Sequence, residues 1–360
     1  MLVVGAGQAG LGTAYWLARE PGLRVLVVDG APVGQSWRDR WDSLVLFTPR
    51  RFSGLPGRRF PRGQGRCPSR LEMADYLVAY ASGLDVETGV RVLQLDQDGD
   101  GFAATTSTGQ VRARQVVLAT GPFHLPYVPG VANGLDPAVA QLHSYDYRRP
   151  SQLPAGEVLV VGGGNSAAQL AVELSATHTV TVATPGPPWF LPEDVAGISM
   201  YWWTYLTGVL NAGADARVSR YVRGRGDAVV GTQLRSLVRG GRVRLHPHRV
   251  VGAQGRTVHL QDGTGLPVSS VLWCTGFRPD TAWVRVPGAV AEDGTPVHDR
   301  GASPVAGLHW MGLPWQTRLN SSIIDGVDRD ARATAARIVG VPAPRGAGSR
   351  GQHVGRARDR

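Results

Sequence analysis

Three glycines close to the start of the chain are suited by type and spacing to bind a phosphorylated ligand. Gly5, Gly7 and Gly10 follow the apolar run 2–4 and precede a stretch with helical character. In this spacing the first glycine permits a tight turn, the second lets the backbone approach a pyrophosphate, and the third lets the helix pack closely on the strand. Free N–H groups at the start of the helix then bind the phosphates. The pattern predicts a dinucleotide site.

The same pattern recurs in the middle of the chain. Gly162, Gly164 and a small third residue, Ala167, follow a second apolar run, and Asn165 and Ser166 begin the next helical stretch. Each copy leads into a further apolar run, so both have the strand–turn–helix–strand context that a lone glycine motif lacks. Two copies in this context indicate two dinucleotide-binding units rather than two unrelated turns.

The residues that end the second strand of each unit distinguish the two ligands. Asp29 lies about 20 residues beyond the first glycines, where an acid is expected to bind a ribose diol. Thr184 and Pro185 follow the corresponding strand of the second unit, and no acid does. This difference favours the 2′-phosphate of NADP over the diol of NAD, but no arginine stands there, so both nucleotides are compatible with the sequence. Four downstream arginines are candidates to fold back onto this place: Arg217, Arg220, Arg223 and Arg225.

Two further strand ends suggest how the units are connected. Thr120-Gly121 precedes the second unit and Gly276 follows it, where the chain would pass from one domain to the other near a ligand, so these three residues are candidates for cofactor binding. We therefore predict an α/β protein of two nested Rossmann-like dinucleotide-binding domains, each with three layers (β/β/α). The outer domain comprises residues 1–129 and 276–340, and the inserted domain comprises residues 150–275. An aromatic-rich segment at 189–222 is expected to form a helical lid, and residues 341–360 a disordered basic tail.

Composition narrows the functional class further. The chain has 360 residues, two cysteines and a net charge of +10, all of its basic residues being arginine. Cys67 and Cys274 are too few and too isolated for a disulfide scaffold, a multi-cysteine metal site or a disulfide reductase pair. No metal, no specific nucleic acid and no membrane span are expected, since no arginine stripe with aromatics and no apolar run of about 20 residues occurs. No signal peptide is evident, so a cytoplasmic protein is expected.

Together these segments resemble the flavin-containing monooxygenase family, in its bacterial branch of cation-efflux-associated or NAD(P)-binding flavoproteins. The resemblance covers all but about the last twenty residues. Besides the two glycine motifs, it is carried by the runs Gly34-Gln35-Ser36-Trp37-Arg38, Leu46-Phe47-Thr48-Pro49, Ala119-Thr120-Gly121, Cys274-Thr275-Gly276-Phe277-Arg278-Pro279-Asp280 and Gly312-Leu313-Pro314.

The resemblance implies FAD in the outer domain and NADP or NAD in the inserted one. It places the ADP half of FAD on the first glycines and Asp29. It places along the flavin the residues Gln35, Trp37, Arg38, Leu46 and Thr48, although core packing is an equal alternative for Trp37. Asn320 and Ser321 are expected either to open the last helix near the flavin ring or to form an ordinary helix cap. The arginine-rich loop 50–70 either attracts the anionic cofactors or is simply solvated.

The chain departs from the family pattern in two places. His143 and Tyr147 match the second half of the family's linker signature, but Pro137 and Val139 replace its phenylalanine and glycine. Tyr147 also stands where the Baeyer–Villiger branch has tryptophan, which argues against ketone oxidation. Pro185 replaces the arginine that reads NADP in many relatives.

The function implied is NAD(P)H-dependent oxygenation of a nitrogen or sulfur atom of a small organic substrate by dioxygen, through a flavin C4a-hydroperoxide. No side chain is singled out as catalytic, because the cofactor carries the chemistry and the protein excludes water. Two alternatives stay open: a flavin oxidoreductase or oxidase without oxygen insertion, and a nucleotide-sensing protein that has lost flavin chemistry. A homodimer is compatible with the sequence.

Overall fold

The computed structural model describes residues 1–226 and 228–340, and the predicted tail at 341–360 lies outside this range. Eight α-helices are present among the described residues. They are α1 (Gln8–Leu17), α2 (Gln35–Arg38), α3 (Arg70–Ala81), α4 (Asn165–Leu174), α5 (Met200–Leu206), α6 (Arg217–Arg225), α7 (Gln233–Arg239) and α8 (Val327–Ile338).

The same ranges contain 22 strands. In chain order they are β1 (Leu2–Val4), β2 (Leu26–Asp29), β3 (Val86–Thr88), β4 (Val92–Asp98), β5 (Gly101–Thr106), β6 (Gly109–Ala113), β7 (Val116–Leu118), β8 (Leu125–Pro126), β9 (Ala140–His143), β10 (Glu157–Val161), β11 (Thr179–Ala183), β12 (Phe190–Leu191), β13 (Asp194–Val195), β14 (Ile198–Ser199), β15 (Val229–Val230), β16 (Val243–His246), β17 (Val250–Gln254), β18 (Thr257–Leu260), β19 (Gly265–Pro267), β20 (Ser270–Trp273), β21 (Phe277–Arg278) and β22 (Leu308–Trp310).

Two parallel five-stranded sheets form the frame, as the α/β prediction requires. The first has the order β22-β7-β1-β2-β3 and the second the order β16-β11-β10-β20-β9. All strand pairs in both sheets are parallel. In each sheet the strand before a glycine motif is the central strand, so both motifs lie at the middle of a carboxyl edge, where ligands bind in open α/β sheets.

Each parallel sheet lies between helices and a small antiparallel sheet. Apolar side chains of β1, β2 and β7 pack on one side against the sheet β4-β5-β6 through Leu95 and Phe102. In the second unit β10 and β20 pack against β17-β18-β19 through Val258 and Leu260. Helices α1, α3 and α8, and α4 with α7, cover the opposite faces. The predicted three-layer β/β/α class is confirmed.

The chain crosses between the units twice, side by side. Strand β8 on the way out pairs antiparallel with β21 on the way back. The second sheet begins earlier in the chain than the predicted boundary at residue 150, because β9 is hydrogen-bonded to β20 as an edge strand. No strong apolar run marks β9, whose residues alternate in burial, and the sequence therefore does not announce it.

Local signals set the helix ends. Ser69 accepts a hydrogen bond from the Glu72 N–H, and the Glu72 carboxylate accepts one from the Ser69 N–H, so a capping box starts α3 as predicted.

Within the described part of the chain, no helix combines the length and the apolar character needed to cross a membrane.

Candidate dinucleotide-binding cleft

The first glycine turn owes its shape to contacts that leave no room for a side chain. Gly5 has φ +107°, and a Cβ there would lie 2.6 Å from the Ala119 carbonyl oxygen at the end of β7. A Cβ at Gly10 would lie 1.8 Å from the carbonyl oxygen of Gly5. At Gly7 a Cβ would meet nothing within 4 Å, so this backbone is open to an approaching ligand.

The second turn repeats this geometry. Gly162 has φ +149°, and a Cβ there would lie 2.3 Å from the carbonyl oxygen of Cys274, just beyond β20. Gly164 faces open space like Gly7, and Ala167 is buried at the third position. Both turns therefore form a backbone cradle that is open at its middle glycine, Gly7 in the first turn and Gly164 in the second.

The strand ends beside the two turns differ. The Asp29 carboxylate accepts hydrogen bonds from the N–H of Ala6 at 2.7 Å and of Ala31 at 2.9 Å. It therefore holds the first glycine turn in place. Thr184 instead donates its hydroxyl hydrogen to the Gly186 carbonyl at 2.6 Å, within its own turn.

One cleft of about 2240 Å³ joins the two turns. This is well above the roughly 300–1,000 Å³ of a pocket for a single drug-sized ligand. Thirteen of the predicted site residues line it: Gly7, Trp37, Leu46, Thr48, Thr120, Gly121, Gly162, Gly164, Asn165, Ser166, Thr184, Gly276 and Ser321.

Six predicted residues do not line the cleft. Gly5, Gly10 and Asp29 support the first turn from behind, as described above. The Gln35 amide donates to the Asp39 carboxylate at 2.7 Å, and the Arg38 guanidinium pairs with Asp75 at 2.5 Å. These local carboxylates, which a motif match ignores, hold both side chains away from the cleft. Trp37, between them, is a lining residue.

The sixth residue, Asn320, is fully buried and donates its amide to Asp325 at 2.9 Å. Asn320 and Ser321 form a turn and do not open the last helix as expected, because α8 begins only at Val327 after a 3₁₀ turn at Ile324–Gly326. The Ser321 hydroxyl accepts from the N–H of Arg318 at 2.9 Å, which stabilises this turn. The helix start still faces the cleft through Ile324 and Val327.

The segment 189–222 reaches from the second unit onto the first. Its helical character begins at Met200, since prolines interrupt the preceding residues and Ala196 and Gly197, with φ +53° and +74°, form the turn of the hairpin β13–β14. Phe52 of the first unit packs on Tyr201 and Trp202 of α5, with ring centroids 5.3 and 4.9 Å apart. We call residues 189–206 the strap.

A buried polar cluster lies where the strap meets the first unit. The Tyr201 hydroxyl donates to the Asp325 carboxylate at 3.3 Å and lies 3.3 Å from the Thr48 hydroxyl. Burial raises the pKa of Asp325 to about 6 and also raises the pKa of Tyr201. Asp325 escaped sequence reasoning because an acid near a helix start is ordinary, and Tyr201 is 124 residues away in the chain.

Asn165 has a structural task at the second turn. Its amide donates to the Ala228 carbonyl at 2.9 Å, and its oxygen accepts from the Val230 N–H at 2.8 Å. The start of α4 is thereby tied to β15, which follows α6 in the chain and pairs with β12 near the beginning of the strap. The side chain of Asn165 is thus already partnered, and the backbone of the turn is the part free to bind phosphate.

The linker signature residues lie near both units. The ring of His143 packs edge-on against Phe277 of β21, with centroids 5.1 Å apart, and burial lowers its pKa. Tyr147 is fully buried and donates to the Glu173 carboxylate at 3.0 Å, while Glu173 lines the cleft. Both residues connect β9 to the elements around the cleft.

The arginine-rich loop is partly structural. Arg50 pairs with Glu72 at 2.6 Å, Arg70 pairs with Asp42 at 2.6 Å, and Arg66 pairs with Asp194 of the strap. Because these guanidinium groups have carboxylate partners, less of the loop's charge is free to attract an anion than the sequence suggested.

The two cysteines are free thiols in the structure. Burial raises the pKa of Cys274 to about 12, which disfavours the thiolate needed for disulfide exchange. Residues 1–226 and 228–340 contain no group of three or more His, Cys, Asp or Glu that could hold a metal ion.

These features agree with what is known of similar proteins. A family model described as "Pyridine nucleotide-disulphide oxidoreductase" matches residues 2–210. The chain belongs to this family. An uncharacterized CzcO-like oxidoreductase of Geobacillus kaustophilus is 39% identical over 333 residues, which cover 92% of this chain and 95% of the relative. The chain is therefore an oxidoreductase of this family.

Two solved structures add to the comparison. A flavin-containing monooxygenase from Stenotrophomonas maltophilia is 29% identical with a TM-score of 0.78, covering 94% of this chain and 97% of that one. The Kutzneria ornithine N-hydroxylase KtzI, at 19% identity and a TM-score of 0.71, shares the fold over 94% of this chain and 98% of its own. The resemblance to flavin-containing monooxygenases is confirmed within the wider oxidoreductase family.

Proposed function

We propose that this oxidoreductase is an FAD-dependent monooxygenase that takes electrons from NADPH or NADH and oxygenates a nitrogen or sulfur atom of a small organic substrate. The observation that carries the proposal is the single cleft onto which both glycine turns open. A flavin on the first turn and a nicotinamide on the second would meet there. Similarity to the Stenotrophomonas monooxygenase over nearly the whole chain supports this assignment.

The residues present fit FAD in the first unit. The open backbone at Gly7, held by Asp29, suits a pyrophosphate, and the start of α8 at the cleft offers N–H groups to a polar ring edge. When bound, FAD would supply the redox chemistry that links the nicotinamide nucleotide, dioxygen and a nucleophilic nitrogen or sulfur atom of the substrate.

The chain's own contribution is to position the ligands and exclude water. The strap covers the cleft with Tyr201, whose ring packs on Phe52 and whose hydroxyl is bonded to Asp325. Such a cover lowers the local dielectric and keeps water from the reacting groups. Asp325, whose pKa burial raises to about 6, lies behind this wall and accepts the hydrogen bond that orients the Tyr201 hydroxyl.

The direct test is a stopped-flow absorbance experiment on the FAD-loaded protein. It is reduced anaerobically with NADPH, or separately with NADH, and then mixed with aerated buffer. We expect reduction by at least one nucleotide, and then a transient absorbance distinct from both reduced and oxidised flavin.

Two other outcomes would contradict the proposal. Direct return to oxidised flavin with stoichiometric peroxide would establish an oxidase or electron-transfer flavoprotein. Tightly bound flavin that neither nucleotide reduces would establish a nucleotide-sensing protein. A screen of amines and thioethers for oxygenated product then identifies the substrate.

A further inference from the structure

The place where NADP and NAD differ, the 2′ position of the adenosine ribose, falls beyond the end of β11 in a unit of this fold. In this chain that position carries Thr184 and Pro185, and the hydroxyl of Thr184 is used within its own turn. Pro185 packs on the glycine turn, since a Cβ at Gly163 would lie 3.3 Å from its Cδ. Neither residue offers a cation to a phosphate or a carboxylate to a diol.

The four arginines considered from the sequence do not serve this place. All four belong to α6, and none of them lines the cleft. The Arg223 guanidinium lies over the Trp315 ring, 4.7 Å from its centroid, and that of Arg225 lies 5.4 Å from the centroid of Trp189. These side chains brace α6 against its neighbours instead.

A cation could also reach this edge of the second sheet from the loop that follows β16, the strand next to β11. Strand β16 runs parallel to β11, with His246 opposite Ala183. The Thr184 N–H donates to the His246 carbonyl at 3.0 Å, so the loops that follow the two strands begin side by side. Arg249, which ends the loop after β16, lines the same cleft as Thr184 and Pro185, the residues that follow β11.

Arg249 is the cation that this loop presents. Its side chain is exposed and makes no hydrogen bond or ion pair with the other described residues, whereas the adjacent His248 lies 3.5 Å from the Asp262 carboxylate. Its carbonyl is fixed by the Gln261 N–H at 2.8 Å, so the backbone that carries it is anchored. An exposed guanidinium without a partner can bind a phosphate bidentately at little desolvation cost.

We propose that Arg249 binds the 2′-phosphate of NADP(H) and makes the second unit selective for the phosphorylated nucleotide. The cation is thus supplied by the loop after β16, in place of one directly after β11. This inference rests on the proposed function, because it assigns the nucleotide of the same cleft.

The test uses the FAD-loaded protein and two probes without nicotinamide, adenosine 2′,5′-bisphosphate and adenosine 5′-monophosphate, titrated by calorimetry. Arg249→Gln is compared with Arg256→Gln, which removes the same charge from an exposed residue between β17 and β18 that does not line the cleft. Loss of a charge-assisted hydrogen bond of about 1.5–3 kcal/mol corresponds to about a tenfold to hundredfold loss of affinity.

We expect the parent protein to prefer the 2′,5′-bisphosphate, Arg249→Gln to weaken its binding at least tenfold, and the monophosphate to be affected less than twofold. Arg249→Lys should recover part of the loss, and Arg256→Gln should change neither affinity. In flavin reduction, Arg249→Gln should raise the KM for NADPH with little change in kcat, which is the pattern of lost ground-state binding.

Several results would overturn the inference. A parent protein without preference for the 2′-phosphate, equal weakening of both probes, or an unchanged ratio in Arg249→Gln would each exclude this role. Failure of both nucleotides to reduce the flavin would instead count against the proposed function, and the calorimetric ratio would still report on Arg249 itself.

Discussion

In the first dinucleotide-binding unit the glycine turn is tied to the end of the neighbouring strand by Asp29, whose carboxylate accepts two backbone hydrogen bonds. In the second unit the corresponding residue, Thr184, donates its hydroxyl hydrogen within its own turn, and among the described residues its side chain makes no hydrogen bond to the glycine turn. The same backbone cradle thus occurs once with a rigid brace and once without. A permanently bound flavin suits the braced turn, and a nicotinamide that enters and leaves with each turnover suits the other.

The largest loss of stability is expected from a substitution at the third position of the first glycine motif, where the two units have different residues. Gly10→Ala places a methyl group 1.8 Å from a backbone oxygen, whereas the second unit already has alanine at the matching Ala167. Because the backbone cannot move aside, we expect at least ~3 kcal/mol loss of unfolding free energy, beyond the usual cost of overpacking. Denaturant unfolding measures it.

Gly83→Ala is the matched control, since a Cβ there meets nothing within 4 Å and its φ is not left-handed. If Gly10→Ala unfolds at the same denaturant concentration as this control, the close packing of the first turn is not required for stability.

The raised pKa of the buried Asp325 carboxyl group predicts that the free energy of unfolding depends on pH. Because the pKa of Asp325 is raised to about 6 from 3.8, the native state binds this proton more tightly than the unfolded state, and stability falls as pH rises from about 4 to 6. Asp325→Asn removes this penalty, which is on the order of 3 kcal/mol. Urea unfolding at several pH values should show the variant gaining stability relative to the parent over this interval.

Asp100→Asn, in an exposed turn, should follow the parent protein at every pH. A constant difference between Asp325→Asn and the parent from pH 4 to 7 would mean that the carboxyl group is not perturbed in the native state.

Asp29, which holds the first glycine turn, can be replaced by threonine, the residue type found at the corresponding position of the second unit. Asp29→Thr gives the first strand the residue type of the second, and it removes two charge-assisted hydrogen bonds that hold the turn. We expect the FAD dissociation constant to rise about thirtyfold, equivalent to ~2 kcal/mol. Flavin fluorescence after dialysis measures this loss. Thr184→Ala, the corresponding change in the second unit, should retain flavin fully, and equal losses in both variants would erase the distinction between the units.

The smallest effect is expected from a substitution at Asn165, beside the second glycine turn. Asn165→Ala removes two hydrogen bonds to the backbone near β15, so the start of α4 loosens by about 1 kcal/mol. Nucleotide affinity should fall several-fold while FAD stays bound, as titration of the oxidised protein would report. Ser166→Ala, whose hydroxyl bonds to no other residue of the described ranges, should bind nucleotide normally. A larger defect in Ser166→Ala would transfer the role to that side chain.

The elements next to the glycine motifs were readable from sequence because their signals are local. The runs at 116–118 and 179–183 are strands as expected, and the capping box at Ser69 starts α3. The sequence did not show that the side chains of Gln35 and Arg38 have carboxylate partners outside the cleft lining, because Asp39 and Asp75 become their partners only in the fold. Asp325 and Arg249 were missed since their surroundings are assembled by elements distant in the chain, and neither has a neighbouring residue that marks it.

The insertion of the second unit between β8 and β21 also determines the order in which the two sheets can be completed as the chain is synthesised. All strands of the second sheet have been synthesised by residue 273, whereas the first sheet lacks its edge strand β22 and the covering helix α8 until residues 308–338 emerge. The inserted unit can therefore be complete while the first glycine turn still lacks α8, one wall of its cleft. If the first unit binds flavin as proposed, its site would be completed only late in synthesis, and a chain that ended after β21 would have all strands of the second sheet but lack β22 and α8.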